Sequence, residues 1–196
     1  MSYSSGNTDI RKYLFIMIII ISVICNGCSD DDWSDYSKKE EKVSIQLEND
    51  ICRLQECKKE LESICNRLYQ EDMKIVHAEY VFSEDGNSYA EISMSQNYEK
   101  NHMGYTLLCL MTVDMNSNSV TNIICENGNS KRVSSTSREL DEVINYYPDE
   151  IYEKETASNN TISKLQVSYY YDRVNINGFD EDGKNILKTT KNIDGQ

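Results

Sequence analysis

Two histidines and seven cysteines carry most of the reactive chemistry in this chain, and their spacing limits what they can do. His77-Ala78-Glu79 has the H-x-E spacing with which zinc deaminases set a metal ligand beside a general acid/base, but no P-C-x-x-C follows it. The pair therefore reads as two polar side chains on one strand face. His102 lies in the polar stretch Asn101-His102-Met103-Gly104, with no sequence neighbour to activate it. The sequence holds no G-x-S-x-G elbow, no P-loop and no G-x-G-x-x-G turn. Asp180-Glu181-Asp182-Gly183 invites a calcium loop. With Gly183 at its sixth position, however, Gly178 and Thr189 fall where Asp and Glu are required. Asn159-Asn160-Thr161 is a glycosylation sequon, meaningful only in a eukaryotic secretory pathway. No cofactor and no metal is expected.

The cysteines do not converge either. On a helix, Cys52 and Cys57 lie about 140° apart and Cys65 a further ~80° round, too far for one metal site on that element. Cys65 replaces an aliphatic residue and reads as core. Cys109 and Cys125 fall in apolar strand sequence, where a thiol is inert. A five-residue loop from Met115 to Ser119 would set them opposite one another, with two outcomes open: a cross-strand disulfide, or two buried thiols spared its strain.

The N-terminus explains the other two. Arg11 and Lys12 precede a run from Tyr13 to Cys25 that is apolar except for Ser22. That is the length of a signal-peptide core and short of the ~20 residues a spanning helix needs. The junction Ile24-Cys25-Asn26-Gly27-Cys28 resembles the cleavage box of bacterial lipoproteins, in which a small residue precedes a cysteine that becomes diacylated and the new N-terminus. Gly27 and Cys28 match its two most demanding positions, while Cys25 stands where that family usually has Leu. The resemblance implies lipidation at Cys28 (two chains, as stable anchoring needs) and says nothing of the folded part. An uncleaved short anchor and ordinary cleavage after Gly27 are the alternatives, and all three export residues 29–196. Ser29-Asp30-Asp31-Asp32 resembles a surface-export signal of some Gram-negative lipoproteins and serves equally as a solvated tether.

These residues need elements to position them. Residues 1–27 read as signal peptide and 28–42 as an acidic disordered tether. Over 43–70, Leu47, Ile51, Leu54, Leu61, Cys65 and Leu68 recur at spacings of three and four, interrupted by Lys58, which predicts a long amphipathic helix. Residues 74–192 read as an α+β domain. Around Asp85-Gly86-Asn87 a three-residue loop pairs Phe82 with Ala90, Tyr80 with Ile92 and Ala78 with Met94, with Asn87 in the left-handed position. A second hairpin joins Tyr105–Val113 to Val120–Cys125, its first strand covered on both faces. Thr136-Ser137-Arg138-Glu139 predicts a helix that buries Leu140, Val143, Ile144 and Tyr147 and stops at Pro148. A third hairpin joins Leu165–Val174 to Ile186–Thr190 through Asp182-Gly183. The expected fold is α+β: an antiparallel sheet of three hairpins, a long N-terminal amphipathic helix and one shorter helix.

A net charge of −13 repels phosphates and anionic headgroups, which argues against nucleic acid as a partner. The expected protein is a lipoprotein anchored in the cell membrane or outer membrane, acting outside the cytoplasm as a non-catalytic binding or structural module. Its first partner is the lipid bilayer. Two alternatives stand. One is a subunit of an envelope complex, or a self-associating chain, assembling through helix 43–70. The other is a small extracytoplasmic enzyme with Cys109 or Cys125 as nucleophile and His77 or His102 as base. Within Tyr169-Tyr170-Tyr171, alternation sends Tyr169 and Tyr171 to the core, beside Leu165 and Val167. Tyr170 is left to mark a candidate binding face that the long helix does not cover.

Overall fold

Strands form wherever β-branched and aromatic residues alternate with polar ones, and here strands take up most of the described residues. The computed structural model describes residues 39–69, 72–100, 103–129, 139–140 and 147–193. They build one antiparallel sheet of eight strands. These are β1 (Lys39–Gln46), β2 (Lys74–Ser83), β3 (Tyr89–Lys100), β4 (Met103–Asp114), β5 (Ser119–Asn129), β6 (Lys164–Tyr170), β7 (Arg173–Phe179) and β8 (Asn185–Asn192). Their order across the sheet is β1-β5-β4-β3-β2-β6-β7-β8. Two meanders, β2 to β5 and β6 to β8, therefore lie side by side, and β1 closes the far edge. Helices α1 (Leu54–Tyr69) and α2 (Pro148–Ser158) join the groups.

The α+β expectation of three hairpins behind a long helix is corrected at both ends. Residues 39–46 are strand, and the helix expected over 43–70 is confined to Leu54–Tyr69. Val43, Ile45 and Leu47 alternate at period two, and β1 uses that pattern. The helix is then stopped from extending backwards by tertiary contacts. Asn118 donates from Nδ2 to the Leu47 and Asn49 carbonyls, and its Oδ1 accepts from the Ile51 N–H at 3.0 Å. The Asp50 carboxylate accepts the Cys52 N–H at 2.9 Å, a local turn that competes with helix. Leu47 and Ile51 are buried from this loop rather than from a helical stripe.

The expected second helix fails where its residues are described. Glu139 and Leu140 are not helical; the Leu140 N–H donates to the Ile75 carbonyl at 2.9 Å, and Lys58 binds the Glu139 carboxylate at 2.7 Å. Thr136, Val143 and Ile144 lie outside the described residues. Pro148 opens α2 instead of closing its predecessor. Its missing N–H costs nothing at the first helical position, and Tyr147 before it is extended, as a residue preceding proline prefers. In place of the third hairpin there are three strands. The run Leu165–Val174 breaks at Tyr171-Asp172 into β6 and β7, and β7 pairs with β8 across a turn in which Gly183 has φ +77°.

The first hairpin pairs Tyr80 with Ala90 and Ala78 with Ile92, two residues from the expected register. A shift of two keeps every side chain on its expected face. Gly86, at φ +83°, takes the left-handed position in place of Asn87. In β4, Leu107, Cys109, Met111 and Val113 are buried, while Leu108, Leu110 and Thr112 are half-buried, so this strand is not covered equally on its two faces.

One face of the sheet is thus a core. Ile75, Ala78, Tyr80, Ala90, Ile92, Met94, Met111, Ile123, Val167 and Ile176 are buried, as are Cys57, Leu61 and Cys65 of α1 and Ile151 of α2. The Tyr80 hydroxyl donates to the Ile51 carbonyl at 2.9 Å, and Phe82 stacks on Tyr152 of α2 at 4.7 Å. Gly178 leaves little room for a side chain: a Cβ would lie 3.0 Å from Leu187 and 3.2 Å from the buried Ile162, so both would have to give way slightly.

Candidate functional site

Side chains that point away from the helices form the opposite face, and strand register makes rows of them. Lys42, Asn122, Thr112, Glu91, Glu79, Ser168, Asn175 and Thr190 are consecutive neighbours across all eight strands. A row of eight polar residues is what a sheet with one wet face requires. Cross-strand hydrogen bonds hold parts of it together. Ser168 donates to Glu79 at 3.1 Å and Thr190 to Asn175 at 3.0 Å.

The next row, Tyr89, Val81, Gln166 and Asn177, opens into a groove of about 610 Å³ at the turn end of the sheet. Val81 and Gln166 lie in its floor, with Tyr89 of β3 and Phe179 of β7 to either side. The β2–β3 turn contributes Glu84 and Asp85 to the rim, and the β7–β8 turn contributes Asp180 and Glu181. With Glu79, the lining carries five carboxylates against one ammonium, that of Lys164. The Asn87 backbone N–H donating to Asp85 holds that carboxyl below its ordinary range. Burial, then the charges of Glu91 and Glu79, push the Tyr89 phenol up, so it stays a neutral donor. Glu79 and Glu91 face each other directly across β2 and β3, a pairing of like charges that costs stability. Among the described residues neither has an ion-pair partner.

The other end of the same face is built differently. His77, Tyr170 and Arg173 form a column, with the His77 ring 4.6 Å and the Arg173 guanidinium 4.5 Å from the Tyr170 ring. Arg173 also meets the Asp172 carboxylate at 3.0 Å. The His77 Nδ1 lies 2.8 Å from the Tyr169 carbonyl, which can only accept, so that nitrogen carries the proton. Tyr170 is half-buried within this column, on the face the helices leave bare. Tyr169 is buried, but Tyr171 is 41% exposed because the strand ends one residue before it.

The candidate chemistry of the sequence separates across the sheet. Cys109 and Cys125 are paired opposite one another, Cα atoms 4.2 Å apart, and joined as a disulfide on the helix-covered face. His77 lies on the opposite face. A cysteine–histidine dyad between them has the sheet in its way, and a bridged sulfur is no nucleophile. His102 and Cys28 lie outside the described residues. Cys52, Cys57 and Cys65 are buried, and burial pushes each thiol up to about 12, which keeps them protonated. Among the described residues no group of three or more His, Cys, Asp and Glu could hold a metal ion, and no helix is long and apolar enough to cross a membrane. Sequence patterns had singled out Glu79 and Tyr170. Tyr89, Gln166 and Phe179 carried no such signal, because only the strand order brings them together. The chain matches no family model, no curated protein and no solved structure.

Proposed function

We propose that the protein is an exported lipoprotein, held to the membrane by a diacylated Cys28, whose sheet presents its helix-free face as a non-catalytic binding surface. The observation that carries this is the asymmetry of the sheet. Both helices and most of the fully buried apolar side chains lie on one face, while the other carries a row of polar residues and a groove, with Val81, Leu108, Leu110 and Ile124 as its apolar members. The Gly27-Cys28 junction behind an apolar run supports the anchor. A Cys109–Cys125 bridge supports export, since such bonds persist in oxidising compartments, and the three remaining described thiols are buried away from oxidants. Of the stripe offered for assembly, Leu61 and Cys65 are buried in the chain's own core, which favours the binding-face reading over assembly through that helix. Fractionation of cells expressing wild type and Cys28→Ala, with intact-mass analysis of the membrane-bound protein, tests the anchor. Diacyl mass on the wild type, and release of the variant from the membrane into the processed or soluble pool, is the expected result. A wild-type protein without lipid would sink it.

A further inference from the structure

The helix-free face is not uniform, and its turn end has a chemical preference. Glu79 opposes Glu91 across two strands, and the rims contribute Glu84, Asp85, Asp180 and Glu181. Lys164 is the single cation in the groove. Electrostatic potential focuses in a concave surface of one sign, and like carboxylates held opposite each other are relieved by a cation placed between them. Tyr89 and Phe179 add aromatic side chains, which attract ammonium and guanidinium groups. Gln166 in the floor carries both a donor and an acceptor, the pairing a peptide backbone needs. The groove volume, about 610 Å³, exceeds what one ammonium fills.

We propose that this end of the sheet face docks a basic peptide segment of a protein partner, with a Lys or Arg side chain laid between Tyr89 and Phe179 toward Glu79. The proposal rests on the binding-module reading and gives it a partner chemistry. Charge complementarity sets the sign, and the amide-bearing floor favours a peptide over a free amine. The backbone of the segment lies over Gln166 while its cationic side chain replaces water around the carboxylates.

The test uses the full-length protein in detergent micelles and a fluorescent Lys-Ser repeat peptide, with its Glu-Ser counterpart and free spermine as comparators. Anisotropy is read at about 0.15 M salt, where charges a Debye length apart are screened. A groove variant, Glu79→Gln with Glu181→Gln, is set against a control of equal charge, Glu56→Gln with Glu153→Gln, at exposed positions of α1 and α2 on the other side of the sheet. Expected results are roughly tenfold weaker peptide binding for the groove variant and under about twofold for the control. Matched thermal midpoints check that both variants fold; should the groove pair fail to fold, Glu181→Gln alone, at an exposed turn, takes its place. Equal weakening in both variants, no binding of the Lys-Ser peptide, or spermine binding as tightly as the peptide would each overturn the proposal. Lipid mass at Cys28 is measured on the same preparations. A failed groove therefore leaves the anchored module standing, and an unlipidated chain counts against the module without touching the groove result.

Discussion

The two faces of this sheet are made by alternate residues of the same strands, yet they obey different rules. Toward the helices, Ala78, Tyr80, Ile92, Met94 and Met111 are wholly buried, and each large side chain so buried contributes roughly 1.5–3 kcal/mol. One residue along each strand, Glu79, Glu91 and Thr112 line the bare face with cross-strand contacts worth tenths of that. Stability is therefore concentrated on one side and recognition capacity on the other. The bare face can tolerate the Glu79–Glu91 repulsion because the covered face outweighs it. Both sheet edges are charged, by Glu40 and Lys42 on β1 and by Lys188 and Lys191 on β8, which discourages edge-to-edge pairing.

The largest effect should come from matched truncations on the two faces. Leu61→Ala, under α1, should cost about 3 kcal/mol by urea denaturation, since that side chain is fully buried and leaves a cavity. Leu110→Ala, half-buried on the bare face, should cost about 1 kcal/mol or less. Equal losses would mean that the bare face is also a core.

The disulfide comes next. Cys109 and Cys125 are 16 residues apart, and closing a loop of that size restrains the unfolded chain by about 3 kcal/mol. Cys109→Ala with Cys125→Ala should lose much of that while leaving the bare face intact. Alkylation of denatured, unreduced wild type should spare both residues; labelling of both would show two thiols and remove the expected loss.

Much of this architecture could be read from the sequence where the alternation was strict. Face assignment over 77–82 and 90–95 survived a register error of two because side-chain direction depends only on parity. Cys109 met Cys125 because a β-bulge next to the turn, between Thr112 and Val113, absorbed the difference in loop length. Other elements were decided by contacts that no local pattern records. Asn118 captures backbone from 47–51 and so ends the helix that leucine spacing had extended. Tyr171-Asp172 makes a turn without glycine or proline, so three tyrosines in a row resembled one strand. The groove draws on β2, β3, β6, β7 and two turns, from Glu79 to Gly183. It becomes visible only once β6 is known to lie beside β2.

A pH comparison sharpens the contrast at the margin of the covered face. Glu62 of α1 is buried; its Oε1 accepts from the Ile75 N–H at 3.4 Å, and its carboxylate lies 3.9 Å from the Lys74 ammonium. Burial is the largest influence and raises its carboxyl above the ordinary range, with Lys74 opposing. The folded chain then holds that proton more tightly than the unfolded chain. The associated stability is full below the ordinary carboxyl value and is lost as pH rises through the raised one. Glu62→Gln should flatten this decline, seen as a smaller drop in denaturation midpoint for the variant than for wild type across that window. Parallel curves would mean that Lys74 cancels the burial.

The smallest expected effect tests whether the His77–Tyr170–Arg173 column holds itself together or merely sits side by side. The Arg173 guanidinium stands 4.5 Å from the Tyr170 ring at a site open to water, where such contacts are worth about 0.5–1 kcal/mol. The Asp172 carboxylate at 3.0 Å competes for the same guanidinium, as an exposed ion pair of similar or lesser worth. A double-mutant cycle with Tyr170→Leu and Arg173→Met separates the two, because only the ring contact is lost in both single variants. A coupling of about 0.5 kcal/mol or more assigns the contact to the ring. A coupling near zero, with Arg173→Met costing the same in either background, hands Arg173 to Asp172. Tyr170 would then be placed by His77 and by its strand, and its ring would have an open face for a partner.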